Sequence, residues 1–187
     1  LLRLFIAIEL SEKQKEEVTG LQNKLKQYLD GVRWVKPAGM HLTLKFLGDT
    51  EPAQVEQVKA AMDEAVSDLG SFGLAYGRSG VFPSPAKARV IWLGLKDGEE
   101  QVRKLAENME QALYSRGFPR DKKAFTPHLT IGRARGRIPK NKIECFIEQE
   151  EAFETARVRV DGVVLFESRL NPEGAIHTPL YTASLES

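Results

Sequence analysis

His41-Leu42-Thr43-Leu44 and His128-Leu129-Thr130-Ile131 are two copies of one pattern, histidine–apolar–threonine–apolar, each within residues that favour β-strand. Side chains alternate across a strand, so His41 and Thr43 share one face while Leu42 and Leu44 take the other. The same alternation separates His128 and Thr130 from Leu129 and Ile131. Of the three histidines in the chain, two stand in this repeated setting.

Working outward, each motif closes a longer repeat. Arg3-Leu4-Phe5-Ile6-Ala7-Ile8-Glu9-Leu10 is an apolar run of strand type, followed by a helical stretch and then His41. Arg89-Val90-Ile91-Trp92-Leu93-Gly94-Leu95 is another, again followed by a helical stretch and then His128. Phe5 to His41 spans 36 positions and Ile91 to His128 spans 37. A period of about 87 residues is too long for a solenoid and indicates internal duplication. Two similar lobes facing each other would bring the two motif strands together across a cleft. Two imidazoles, each with a hydroxyl beside it, would there suit acid–base chemistry on a phosphate ester.

The intervening segments read as alternating helices and strands. Ser11-Glu12-Lys13-Gln14 fits a capping box, with Val18, Leu21, Leu25 and Leu29 at helical spacing and Asp30-Gly31 as the stop. Pro52 lies near the start of a second helix, with Val55, Val58, Met62, Val66 and Leu69 as its apolar stripe. Val102, Leu105, Met109 and Leu113 line a third. Phe72–Phe82 is a glycine-broken strand and Phe82–Pro85 a loop. Ala156–Phe166 is strand-like, interrupted at Asp161-Gly162, and Tyr181–Leu185 ends the chain as a strand. The expected class is α+β with mostly antiparallel sheets.

Composition permits a substantial core: 187 residues, 42% hydrophobic and 28% charged. No apolar run has the length of a membrane span, and no cleavable leader is visible. A lone cysteine, Cys145, excludes an internal disulfide and fits a reducing, cytoplasmic setting. Net charge is only +1, but Arg116 to Lys142 carries nine Lys and Arg against the single acid Asp121. That stretch surrounds His128, where a phosphate would be held.

Arg3–Ile8, Trp34-Val35-Lys36-Pro37 with His41–Gly48, and Pro127–Arg133 together resemble the 2H phosphoesterases. The nearest branch is the RNA 2′,3′-cyclic phosphodiesterases, also called LigT-like or 2′-5′ RNA ligase proteins. Phe82-Pro83, Leu165–Ser168 and Tyr181 extend the resemblance nearly end to end. It implies one bilobal domain over residues 1–187, with pseudo-twofold lobes and both motifs lining a central groove. It also implies opening of a ribonucleoside 2′,3′-cyclic phosphate to a 2′-phosphate, with no metal or organic cofactor. His41 and His128 would be the catalytic acid–base pair, in an order the sequence leaves open. Thr43 and Thr130 would hydrogen-bond phosphate oxygens. The expected partner is RNA ending in a 2′,3′-cyclic phosphate, or a cyclic nucleotide, bound by a monomer with no membrane association.

Two more residues follow from the resemblance. Arg133, five after His128, stands where relatives contact phosphate, and Phe46, five after His41, where they have an aromatic that packs on a base. An odd offset puts both on the wrong strand face unless the strand bends, which Gly132 could permit. Trp34 is either core or groove wall. His177, within Asn171–Pro179, reads as an exposed loop residue. Zinc on His41, His128 and His177 is disfavoured, because no His, Cys or acid stands at ligand spacing beside them. Cys145, in an apolar stretch, reads as buried and inert. No Gly-rich phosphate loop and no nucleophile elbow is present. Alternatives are a phosphodiesterase on small cyclic nucleotides or 2′-5′ oligonucleotides, reverse ligation at the same site, and a non-catalytic RNA-binding module.

Overall fold

The first half of the chain, in a computed structural model that describes residues 1–187, runs β1 (Leu2–Glu9), α1 (Glu12–Leu25), β2 (Val32–Trp34), β3 (His41–Thr50), α2 (Val55–Val66) and β4 (Phe72–Phe82). The second half runs β5 (Val90–Asp97), α3 (Glu99–Tyr114), β6 (Leu129–Ala134), α4 (Lys140–Gln149), β7 (Val158–Val160), β8 (Gly162–Asn171) and β9 (Gly174–Ser184). Ser11 caps α1 reciprocally: the Gln14 amide donates to Ser11 Oγ at 3.2 Å, and Ser11 N–H donates to Gln14 Oε1 at 3.3 Å. The helix closes at Leu25, earlier than the Asp30-Gly31 stop. The Gln27 and Tyr28 amides donate three residues back, to Lys24 and Leu25, and tighten the last turn. Leu29 is buried all the same.

α2 starts behind a 3₁₀ turn at Pro52–Gln54, and α3 buries Val102, Leu105, Met109 and Leu113 along one stripe. α4 is an addition to the sequence reading. Its inward line holds only Ile143 and Phe146, and Cys145 falls off that line, half-buried where the sequence predicts full burial.

Both sheets are antiparallel, with strand orders β3-β1-β8-β9 and β2-β6-β5-β4-β7. The duplicated unit is legible in them, since β1–α1–β3 corresponds to β5–α3–β6. Each half also lends two strands to the other: β2 pairs with β6 and β4 with β5, while β8 pairs with β1 and carries β9 with it. Asp161 is the crossover between β7 in one sheet and β8 in the other. This exchange merges the halves into one core cluster of 41 buried residues. It takes Leu4, Ile6, Ile8 and Leu42 from the first sheet and Ile91, Leu93, Leu129 and Ile131 from the second. Truncating one such aliphatic to alanine costs about 2–5 kcal/mol. β3 and β6 lie beside each other at the seam between the sheets, so the motif strands meet.

Candidate active site

The motif strands share an irregularity that decides what their side chains face. Along β1, Ala7 is opposite Thr43 and Ile6 opposite Lys45, leaving Leu44 as an extra residue in β3. Along β5, Trp92 is opposite Thr130 and Ile91 opposite Gly132, leaving Ile131 extra in β6. A β-bulge at the same place in each motif moves the following residues by one position. Phe46 thereby lies opposite Phe5, on the face of Thr43 and His41, and Arg133 lies opposite Val90, on the face of Thr130 and His128. Burial follows suit: His41–Phe46 and His128–Arg133 each run half-buried, buried, half-buried, buried, buried, exposed. The bend that brings Arg133 round is therefore at Ile131, not Gly132. Gly132 serves another purpose, since a Cβ there would lie 2.7 Å from Val32 Cγ1 and 3.1 Å from the Trp34 ring. Trp34 thus packs against the core.

The bulge in β6 is held from outside. The Ile131 carbonyl accepts from Val35 N–H at 3.0 Å and from Gln22 Nε2 at 2.9 Å. Gln22 is a buried glutamine on α1 that also donates to the Val35 carbonyl at 2.8 Å. In β3 the displaced Lys45 turns inward, its ammonium meeting Glu110 at 2.6 Å, Asp121 at 2.9 Å and the Pro119 carbonyl at 3.1 Å. Each motif strand is thus held by residues away from the face that carries its histidine and threonine.

Aromatic rings flank both histidines. His41 meets Phe5 at 5.8 Å and Phe166 at 4.6 Å between ring centroids. His128 meets Phe82 at 5.0 Å and Trp92 at 6.3 Å. In each case one ring comes from the adjacent strand of the same repeat and one from the exchanged strand. Phe5 and Phe166 stack at 5.1 Å and form, with Ala7 and Val164, a small apolar floor separate from the main core. His128 Nδ1–H donates to the Thr126 carbonyl at 2.7 Å; a carbonyl only accepts, so Nε2 is the atom left for chemistry. Burial pushes His41 down from 6.5 to about 4, with smaller contributions from the charges of His177 and Lys15, opposed by a hydrogen bond to the Gly39 backbone. His41 is therefore a neutral imidazole at pH 7. Neither Thr43 nor Thr130 spends its hydroxyl on another protein group.

Sequence reading misplaces His177. It lies on β9, opposite Ser168, and its ring stands 5.3 Å from that of His41 and 5.0 Å from Phe5, edge-on to both. The turn Asn171–Gly174 is the tip of a long β8–β9 hairpin, and strand pairing resumes at once. Pro179, which argues against a strand, is tolerated because β9 is an edge strand and the register slips beside it. The β-branched and apolar residues on either side of Asn171-Pro172-Glu173-Gly174 were the available signal. Despite the approach of His41 and His177, no set of three or more His, Cys, Asp or Glu is arranged to hold a metal ion.

The basic stretch divides in two. Arg116 pairs with Glu64, Lys140 with Glu144 and Lys142 with Asp30, while Arg120 covers the Tyr114 ring. Lys122, Lys123, Arg133, Arg135 and Arg137 are exposed without an acidic partner, and Arg33 on β2 stands directly opposite Arg133. Like charges face to face across a strand pair repel. A bound polyanion would relieve that repulsion. No helix is long and apolar enough to cross a membrane.

Comparison with known proteins fits this arrangement. The family model described as LigT like Phosphoesterase matches the chain twice in succession, over residues 8–92 and 93–177. Its second copy thus begins within β5, the counterpart of β1 where the first begins. The chain is 32% identical over 185 residues to a Thermotoga maritima protein named RNA 2′,3′-cyclic phosphodiesterase, covering 99% of this chain and 96% of the relative. A Methanothermobacter thermautotrophicus protein of the same name is 31% identical over 178 residues, covering 95% and 96%. Among solved structures, one from Thermus thermophilus aligns at TM-score 0.83 and 25% identity over 98% of both chains. E. coli LigT, solved with 3′-AMP, shares the fold at TM-score 0.77 and 22% identity, over 100% of this chain and 99% of that one.

Proposed function

The chain belongs to the LigT-like phosphoesterases, and on that premise we propose that it hydrolyses the 2′,3′-cyclic phosphate at an RNA end to a 2′-phosphate. The observation that supports this reading is the pair of bulged motif strands, each presenting an imidazole and an unengaged hydroxyl on one face. His41, neutral at pH 7, takes a proton from the attacking water as its oxygen bonds to phosphorus. His128, its Nδ1–H fixed on the Thr126 carbonyl, delivers a proton from Nε2 to the ribose 3′-oxygen as the P–O3′ bond breaks. Thr43 and Thr130 donate to the non-bridging oxygens as negative charge builds there. Arg133 neutralises phosphate charge, and exposed Phe46 offers a face for the terminal base.

Every step uses side chains of this polypeptide and asks nothing of a metal. One chain carries both motifs, so this reading asks for no second subunit: residues 1–187 act as one bilobal domain in a monomer. A lone free cysteine suits work in the reducing cytoplasm.

Incubation with a short RNA bearing a 2′,3′-cyclic phosphate, in excess EDTA, tests the reading by phosphorus NMR of the product. Accumulation of a 2′-monophosphate supports it. A 3′-monophosphate would reverse the identity of the leaving oxygen, and unchanged substrate would overturn the assignment.

A further inference from the structure

The two histidines occupy equivalent places in a duplicated scaffold, yet the reaction needs one to accept a proton and the other to give one. Bulge, strand pairing and flanking aromatics are alike on both sides, so they do not distinguish the roles. One contact has no counterpart. His177 lies against His41 and nothing equivalent lies against His128.

The setting of His177 marks it as placed for this contact. From Gly174 to Leu180, β9 is exposed at every position except His177. The outer half of the β8–β9 hairpin therefore meets the body through this one side chain, along with the packing of β9 on the 3₁₀ turn Pro37–Gly39 just before His41. The His177 ring is edge-on to His41 at 79° and to Phe5 at 81°. Its Nδ1 is buried and has no hydrogen-bond partner in the protein.

Resting on the proposed reaction, we propose that His177 is a positioning residue that makes His41 the base: its imidazole fixes the His41 ring against the Phe5–Phe166 floor and keeps a second proton from settling there. Two imidazolium ions with ring centres 5.3 Å apart repel, so the pair holds at most one proton with ease. The other groups about His41 are few. Lys15 of α1, itself 3.3 Å from Glu12, acts in the same sense as His177, and the Gly39 backbone acts against it. Glu9 is the strand neighbour on β1, exposed to water, while Phe5 and Phe166 carry no charge. A base beside a phosphodiester anion needs this bias, because the bound anion itself draws a proton toward the nearest imidazole.

The test uses the full chain with His177→Phe, which keeps a ring of similar shape and removes the titratable nitrogens, and His177→Asn, which restores a polar atom near the position of Nδ1. Proton NMR of the histidine ring resonances follows His41 directly, and kcat/KM on a nucleoside 2′,3′-cyclic monophosphate is measured against pH. In His177→Phe the His41 titration and the acid limb of kcat/KM should both move up by about one pH unit. In His177→Asn the same upward movement is expected, since the charge is gone in both variants. Superimposable His41 titrations in wild type and both variants would overturn the proposal. A rise in KM with kcat and pH profile unchanged would also overturn it, by making His177 a simple substrate contact. If the wild type turns over no cyclic phosphate while its His41 titration still responds to His177→Phe, the reaction assigned above fails and the coupling of the two rings stands.

Discussion

His41 is neutral in the folded protein over a pH range where a free histidine is charged, and that difference is a measurable stability. Its pKa is about 4 when folded and 6.5 when solvated, so the unfolded chain binds the proton more tightly. The contribution is complete above pH 6.5 and is lost as pH falls through 6.5 towards 4. The whole gap corresponds to about 3 kcal/mol, of which about 2.5 kcal/mol is gone by pH 4.5. Other groups titrate in this window too, so the quantity to measure is a difference. Urea unfolding of wild type and of His41→Asn, each from pH 7.5 to 4.5, removes the shared terms. The wild type should lose about 2.5 kcal/mol more than the variant over that range. If His41 is the base of the proposed reaction, the same protonation governs kcat/KM, which reports the free enzyme. Its acid limb should therefore fall near pH 4, well below the value for a solvated imidazole. Parallel stability curves, or an acid limb at pH 6.5, would refute the electrostatic description of this site.

Single replacement of His41 or His128 by alanine should reduce turnover by about 10²–10⁴-fold, with binding of a 2′-phosphorylated product retained, as measured by calorimetry. Phe46→Ala should leave the melting temperature unchanged, since the ring is 69% exposed, and weaken oligonucleotide binding by about 1–3 kcal/mol if a base stacks there. Arg33→Gln and Arg133→Gln should each flatten the salt dependence of RNA affinity by about one unit in the log–log slope. The Arg33 effect should vanish on a mononucleotide that is too short to reach it. Gln22→Leu leaves the Val35 carbonyl without this donor and the Ile131 carbonyl with one donor fewer, and should cost about 1–3 kcal/mol in urea unfolding. It should also raise KM through Arg133; a loss of stability with unchanged KM would show that the bulge does not depend on Gln22.

The motifs were legible because strand alternation is local: His41 with Thr43 and His128 with Thr130 follow from a period of two residues. Duplication was legible for a related reason, since the spacing of apolar runs survives in the chain whatever the tertiary structure does. What escaped depends on partners distant in sequence. The bulge at Leu44 has no glycine to announce it; the one at Ile131 has Gly132 beside it as a hint, but it is held by Gln22, 109 residues away. Simple alternation therefore puts Phe46 and Arg133 on the wrong face. The exchange of β4 and β8 between sheets is equally invisible, because each is an ordinary strand whose partner is chosen by the assembled core. His177 was lost to proline and glycine signals that normally mean loop. An edge strand and a register slip disarm both, and neither is a property of the local sequence.

Equivalent positions in the two repeats also reveal how a symmetric scaffold acquires an asymmetric task. The bulge makes Phe46 and Arg133 counterparts, each five residues past its histidine and each exposed on the groove face. One supplies an apolar ring and the other a cation. A cyclic phosphate at an RNA end is itself lopsided, with a base on one side and the next phosphate of the chain on the other. On the reaction proposed above, an apolar ring beside His41 and unpaired arginines beside His128 would orient such a substrate: terminal base towards Phe46, backbone towards Arg133 and Arg33. That orientation, together with the neutral state of His41, would set which ester oxygen faces which imidazole. On that proposal the direction of cleavage would follow from how the repeats differ, while the pairing of the histidines follows from what they share.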